Sequence, residues 1–270
     1  MAAIDPLHQF AIEKVVALPT VNLGGLAIDL SITNSVVAMV IAAVVLCLFL
    51  AVSAKGQVVP GRLQTVGESI YGLVNGLTES MIGHEGKKYF AFVFTLFTFI
   101  MCMNMFGLLN FIGLPHMRMF TPTSQVAVTA TLAIITIGLV LVVGFAKNGL
   151  GFFKLFVPSG VPWPLLLFLV PIEIISFLVR PLTLTLRLFG NMLGGHVVLA
   201  IFGAFVAALC AYALSTGGAA YAALIPSALS FFMVVALTAL EFIVGFLQAF
   251  VFAALACVYL NDVVNLGHGH

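Results

Sequence analysis

The sequence is short of charge. Among 270 residues there are ten Lys or Arg and nine Asp or Glu, 7% of the chain, against about 25% in soluble proteins. Hydrophobic residues make up 63%, and Phe alone occurs 25 times. So few charged side chains cannot cover so large an apolar surface in water, which excludes a soluble domain and implies a polytopic membrane protein. The formal net charge of +1 provides no electrostatic footprint for nucleic acid. The four cysteines, Cys47, Cys102, Cys210 and Cys257, all fall inside apolar stretches at no ligand-like spacing. They read as small buried hydrophobes, with no disulfide framework, metal or cofactor implied. The chain also lacks a P-loop, an HExxH, a GxSxG and a dinucleotide fingerprint, so nucleotide chemistry by this chain alone is not expected.

What is present is a succession of long apolar runs. Residues 1–31 are mixed and carry Asp5, Glu13, Lys14 and Asp29, without the basic segment and apolar core of a signal peptide. Ile32 to Ser53 is uncharged and long enough to cross a hydrocarbon core of about 30 Å. In 64–83, Val66, Ile70, Leu73, Leu77 and Met81 recur at helical spacing while Glu68, Asn75 and Glu79 fall elsewhere on the wheel. This is an amphipathic helix, lying in the membrane interface or packed on protein as a linker. Further spans are expected over 90–111 and 126–146, with a connector over 147–162. Residues 163–213 and 222–264 are apolar runs too long to stand upright in one bilayer leaflet pair. Either each breaks into two spans, or the two form a tilted antiparallel hairpin around the 214–221 turn. The expected fold class is an all-α polytopic membrane protein with about five crossings, one interfacial helix and this C-terminal hairpin.

Orientation follows from the basic residues. Lys55, Arg62, Lys87, Lys88, Lys147 and Lys154 fall on one side, and Lys14 and Arg118 on the other. The N-terminus is therefore expected outside the cytoplasm and the C-terminus inside.

Ionisable groups at membrane depth are costly and functional by default. Glu173, Arg180 and Arg187 are spaced seven and seven apart, close to two helical turns, so they share nearly one face. Thr183 and Asn191 flank Arg187 at four residues on the same face. On the second long run Glu241 and Gln248 are again seven apart, and His196 is the remaining titratable group. Folding the runs antiparallel with Gln248 facing Arg187 brings Glu241 near the level of His196. Histidine and glutamate can both exchange protons near neutral pH. Arginine effectively cannot, so it can repel protonic charge and hold a passing carboxylate ionised. A titratable group on each side of a fixed arginine suits two half-channels that must not short-circuit.

Plainer readings stay open for several of these residues. Arg180 either snorkels to the headgroups or pairs with Glu173. His196 with Glu241 also reads as a structural buried pair. Gly190 and Gly194 read as helix packing, and Asn104 and Asn110 as interhelical hydrogen-bond partners or channel lining. His116 reads as a loop residue, and His268 and His270 as a terminal tail.

The stretch PLTLTLRLFGNMLGGH (181–196), with QAFVF from Gln248 and MNMFGL from Met103, resembles subunit a of F-type ATP synthases over about residues 60–262. The resemblance implies a stationary proton channel whose tilted hairpin cups a rotating ring of subunit c. It further implies subunit b or an equivalent peripheral stalk, the remaining synthase subunits, membrane lipid and protons as partners. Arg187 matches the essential arginine, Gln248 its partner on the last helix, Asn191 a half-channel polar residue and Glu173 the acidic residue of the exit side. His196 and Glu241 match the inlet pair, in the order seen in mitochondrial proteins and their closest bacterial relatives; some bacterial members carry the reverse. The implied location is a bacterial inner membrane, or alternatively the mitochondrial one. Two readings from other classes are a secondary ion transporter, which the absence of self-similarity between the halves disfavours, and a structural membrane scaffold.

Overall fold

Four short strands precede the first helix, a feature that the mixed composition of the N-terminal segment does not announce. The computed structural model describes residues 14–16, 21–23, 26–28, 31–57, 59–109, 121–157, 162–216 and 218–266. Strand β1 (Lys14–Val16) pairs antiparallel with β4 (Ile32–Thr33), and β2 (Val21–Leu23) pairs antiparallel with β3 (Leu26–Ile28). The sequence between β2 and β3 is Gly24-Gly25, a pair that two-residue hairpin loops favour.

After β4 the described residues are helical apart from short connections. The helices are α1 (Asn34–Ser53), α2 (Arg62–Ile82), α3 (Gly86–Leu109), α4 (Val126–Asn148), α5 (Trp163–Thr216) and α6 (Leu224–Val264). Five helical segments, all but the amphipathic α2 on its own, are long and apolar enough to cross a membrane. On α1 the one-face series Val40, Val44 and Leu48 is uncovered by protein. That is what a helix in hydrocarbon solvent shows, since its backbone groups bond internally and its apolar side chains need no shelter from water. The polytopic all-α fold class is thus observed.

α2 carries two different faces. Val74, Thr78 and Ile82, spaced by four, are buried on protein, and Tyr71 packs its ring 4.7 Å from that of Phe90 on α3. The other apolar series, Val66, Leu73 and Met81, stays exposed. Gly83, at φ 75, ends the helix in a conformation that a side chain would strain, and its N–H donates to the Glu79 carbonyl.

Of the connector expected over 147–162, residues 147–148 belong to α4, Gly149–Phe156 form a 3-10 helix with Phe152 buried, and 158–161 lie outside the described residues. The two long C-terminal runs do not break. α5 is one helix of 54 residues and α6 one of 41, about 81 and 62 Å at about 1.5 Å per residue. Pro171 and Pro181 lie inside α5. Each lacks an N–H and so leaves the carbonyl four residues earlier without its helical donor; in a membrane helix neighbouring groups compensate for such a loss. The stretch from Arg180 to Arg187 is therefore helix and not a loop. α5 runs to Thr216, three residues past the expected end, a 3-10 turn Gly218–Ala223 follows, and α6 starts at Leu224.

Two compact units divide the chain. Unit 1 comprises Met1–Ala42, Met103–Gln125 and Phe189–Leu247, and unit 2 comprises Ala43–Cys102, Val126–Leu188 and Gln248–His270. Within unit 1, Cys210 Sγ lies 3.0 Å from Ser227 Oγ, and His196 Nδ1 lies 3.5 Å from Glu241 Oε1. Stepping back 14 residues on α5 (210 to 196) steps forward 14 on α6 (227 to 241), so the two helices pair antiparallel there. Within unit 2, Asn148 Nδ2 donates to the Val263 carbonyl at 2.6 Å, and Lys147 and Lys88 both donate to Glu85.

Candidate functional site

In unit 1 the candidate residues are His196 and Asn191 on α5 and Glu241 on α6. His196 and Glu241 are both buried, at 7% and 5% exposure. Their separation of 3.5 Å, from Nδ1 to Oε1, joins two residues 45 positions apart, and the antiparallel pairing of the helices is what brings them to one level. A glycine makes the approach possible: a Cβ at Gly195 would lie 2.6 Å from Glu241 Oε1. Both carboxyl oxygens of Glu241 are buried and accept no hydrogen bond among the described residues. An unbonded buried carboxyl is costly, so its stable states are a carboxylate beside imidazolium or a neutral acid beside imidazole. One proton can therefore sit on either partner. A cavity of about 240 Å³ is lined by Asn191, Gly194, Gly195, Leu237, Leu240 and Glu241 among others. Asn191 is exposed.

A short hydroxyl-rich turn from the α3–α4 connection completes this arrangement. Thr121 Oγ1 and His196 Nε2 share a hydrogen bond of 2.9 Å. Thr123 Oγ1 donates to Asn104 Oδ1 at 2.9 Å, and Asn104 Nδ2 donates to the Gly245 carbonyl of α6 at 3.0 Å. Asn104 thus makes interhelical hydrogen bonds, one of its two expected roles. Thr121 and Thr123 do not stand out in the sequence; the only signal is a Thr-Pro-Thr-Ser run of small hydroxyls ahead of a span, which is otherwise common at helix starts. Asn110, His116, Arg118, His268 and His270 lie outside the described residues.

Unit 2 holds the other candidates. Arg187 is exposed on α5 and makes no hydrogen bond or ion pair among the described residues. Glu173 is half-buried on the same helix, about four helical turns earlier. Gln248 on α6 is buried, at 5% exposure. Arg180 pairs with Asp262 and not with Glu173: its Nη1 donates to Asp262 Oδ2 at 3.0 Å. Its guanidinium carbon lies 4.7 Å from the centroid of the Tyr259 ring and 5.4 Å from that of Phe177, a cation–π setting that suits the flat guanidinium. Asp262 and Tyr259 carry no sequence signal for this role, because the partners lie 82 and 79 positions from Arg180. Among the described residues no group of three or more His, Cys, Asp or Glu side chains could hold a metal ion.

The family described as ATP synthase A chain matches residues 35–261. ATP synthase subunit a of Hyphomonas neptunium is 49% identical over 265 residues, covering 97% of both chains. The protein of the same name from Allorhizobium ampelinum is 49% identical over 271 residues, 98% of this chain and 99% of its own. That of Rhodopseudomonas palustris is 45% identical over 266 residues, 98% and 100% of the two chains. With one family spanning nearly the whole helical part and relatives aligned end to end, the chain belongs to the ATP synthase A chain family.

Proposed function

We propose that this chain is the stationary, non-catalytic proton-channel subunit of a rotary ATP synthase in a bacterial inner membrane. Its N-terminus faces outside and its C-terminus the cytoplasm, as the distribution of basic residues suggests. α5 and α6 are tilted in the bilayer, because helices of about 81 and 62 Å exceed a hydrocarbon core of about 30 Å. Protons enter by the His196/Glu241 pair, with Asn191 and Gln248 as polar groups of the path. They load a carboxylate on a ring of subunit c and leave past Glu173. Arg187 holds each ring carboxylate ionised between loading and unloading. A stalk subunit keeps this chain still while the ring turns, and phosphoryl transfer belongs to other subunits.

The observation that carries this reading is Arg187. A permanent cation stands exposed on a helix apolar enough to span a membrane and has no acidic partner among the described residues. A charge at membrane depth calls for a partner or a water-lined surface, and a passing ring carboxylate is a partner of the right sign and size. The test is to purify the complex that contains this chain and to measure its subunits and its pumping. The reading expects a small proteolipid in several-fold molar excess, and ATP-driven acidification of sealed inverted vesicles. A complex lacking that proteolipid, or one that transports a solute without ATP-coupled proton movement, would mark a secondary transporter instead.

A further inference from the structure

We infer that Thr121 is a positioning residue for the His196/Glu241 pair, an inference that rests on the proton-channel reading and names a further residue of its entry side. Thr121 is 5% exposed and its hydroxyl lies 2.9 Å from His196 Nε2, while Nδ1 of the same ring faces Glu241 at 3.5 Å. The imidazole is thus held between a hydroxyl and a carboxyl, one at each nitrogen. A neutral imidazole has one donor and one acceptor nitrogen, and a hydroxyl can serve either. In the imidazolium–carboxylate state both ring nitrogens carry a proton and Nε2–H donates to the Thr121 oxygen; when the Nδ1 proton passes to the Glu241 carboxyl, Nε2 keeps its own proton and that bond is unchanged. When the pair gives up one proton and leaves an Nδ1–H imidazole beside a carboxylate, the hydroxyl turns and donates to Nε2. The hold on the ring therefore survives both the movement of a proton within the pair and the loss of one from it.

The hydroxyl is itself fixed in place. Ser124 donates to the Thr121 carbonyl twice, from its N–H at 3.0 Å and from its Oγ at 2.7 Å. Through Thr123 and Asn104 the same turn is tied to the Gly245 carbonyl, one helical turn beyond Glu241. On the α3 side Gly107 leaves room for it, since a Cβ there would overlap the Thr121 hydroxyl oxygen. One 3-10 turn thereby references the position of His196 on α5 to that of Glu241 on α6.

The test compares Thr121→Val and Thr121→Ser in the whole synthase, reading ATP-driven proton pumping per assembled complex in sealed inverted vesicles. Valine keeps the volume and removes the hydroxyl; serine keeps the hydroxyl and removes the methyl. Loss of a partner that orients a metal-bound histidine costs about 10- to 100-fold; taking the lower end of that range for this metal-free ring, T121V is expected to lose about tenfold and T121S to keep most of the pumping. If T121V does not assemble, Thr121→Ala against Thr121→Ser makes the same comparison at smaller volume. Normal pumping by the hydroxyl-free variant, or impairment of the serine variant alone, overturns the inference and makes Thr121 a packing residue. His196→Ala and Glu241→Gln run in parallel. If those two lose pumping while T121V does not, the Thr121 inference alone fails; if they too pump normally, the channel reading of the pair falls and takes it along.

Discussion

Nδ1 of His196 on α5 lies 3.5 Å from Oε1 of Glu241 on α6, with both side chains buried and the carboxyl accepting no hydrogen bond among the described residues. Two groups that each carry at most one exchangeable proton in this range stand in direct reach of one another. The pair matters as a unit, so exchanging its members should harm it less than removing either one. Glu241→Gln and His196→Ala are each expected to reduce ATP-driven pumping by about 100-fold, the usual order for losing a positioned proton-transfer group. The double exchange His196→Glu with Glu241→His should recover a large part of that loss. Pumping rates of the four complexes in vesicles, normalised to assembled complex, check this.

The two glycines beside the pair separate a functional effect from a structural one. A Cβ at Gly195 would lie 2.6 Å from Glu241 Oε1, the movable end of a side chain. Gly195→Ala should therefore leave assembly nearly intact, turn the carboxyl away from His196 and lower pumping by about tenfold. A Cβ at Gly107 would press on Oγ1, Cγ2 and Cβ of Thr121 together, and a β-branched side chain anchored by Ser124 cannot swing aside. Gly107→Ala should lower the amount of assembled complex as well as its rate. Blue-native gels alongside pumping assays distinguish the two.

The ion pair of Arg180 and Asp262, at 3.0 Å with the guanidinium against Tyr259, ties α5 to the end of α6 within unit 2. Both side chains are less than one third exposed. Removing one partner strands the other in an apolar setting, at a cost of about 2–4 kcal/mol. Arg180→Ala and Asp262→Ala should each reduce the thermal stability of the extracted complex, and the double variant should be less destabilised than the sum of the two. A double-mutant cycle on the dissociation temperature measures the coupling.

Much of this architecture can be read from the order of the residues, for definite reasons. Apolar runs bounded by Lys and Arg mark membrane helices because no other secondary structure satisfies its own backbone in hydrocarbon. Seven-residue spacing of Glu241 and Gln248, and of Glu173, Arg180 and Arg187, marks shared faces because it is close to two turns. Hydropathy could not choose between broken and continuous forms of the long runs. Pro171 and Pro181 argue locally for breaks, yet the helix persists through both, which membrane helices tolerate where neighbouring groups satisfy the freed carbonyl. The partner of Arg180 was equally illegible. Glu173 is close in sequence and at helical spacing, but Asp262, arriving from α6, takes the bond. Thr121 carries no pattern at all; its role depends on a turn meeting a histidine 75 positions away.

The orientation can be tested at two exposed positions. Single cysteines at Gln57, in the α1–α2 connection, and at Ser215, near the end of α5, placed in a cysteine-free background, are expected to react with an impermeant thiol reagent from opposite faces, Gln57 from the cytoplasmic side. Labelling of both from one side would remove the five-crossing arrangement.

Arg187 is exposed on α5 and has no acidic partner among the described residues, and the proton-channel reading depends on it more than on any other side chain. The measurement that tests it most directly is ATP-driven proton pumping, with passive leak recorded in parallel, by wild-type and Arg187→Gln complexes in sealed vesicles. Pumping is expected to be abolished with the complex still assembled, with an added leak if the arginine also separates entry from exit. Undiminished pumping by Arg187→Gln would contradict it, and the assignment of this arginine to the ring carboxylate would have to be abandoned.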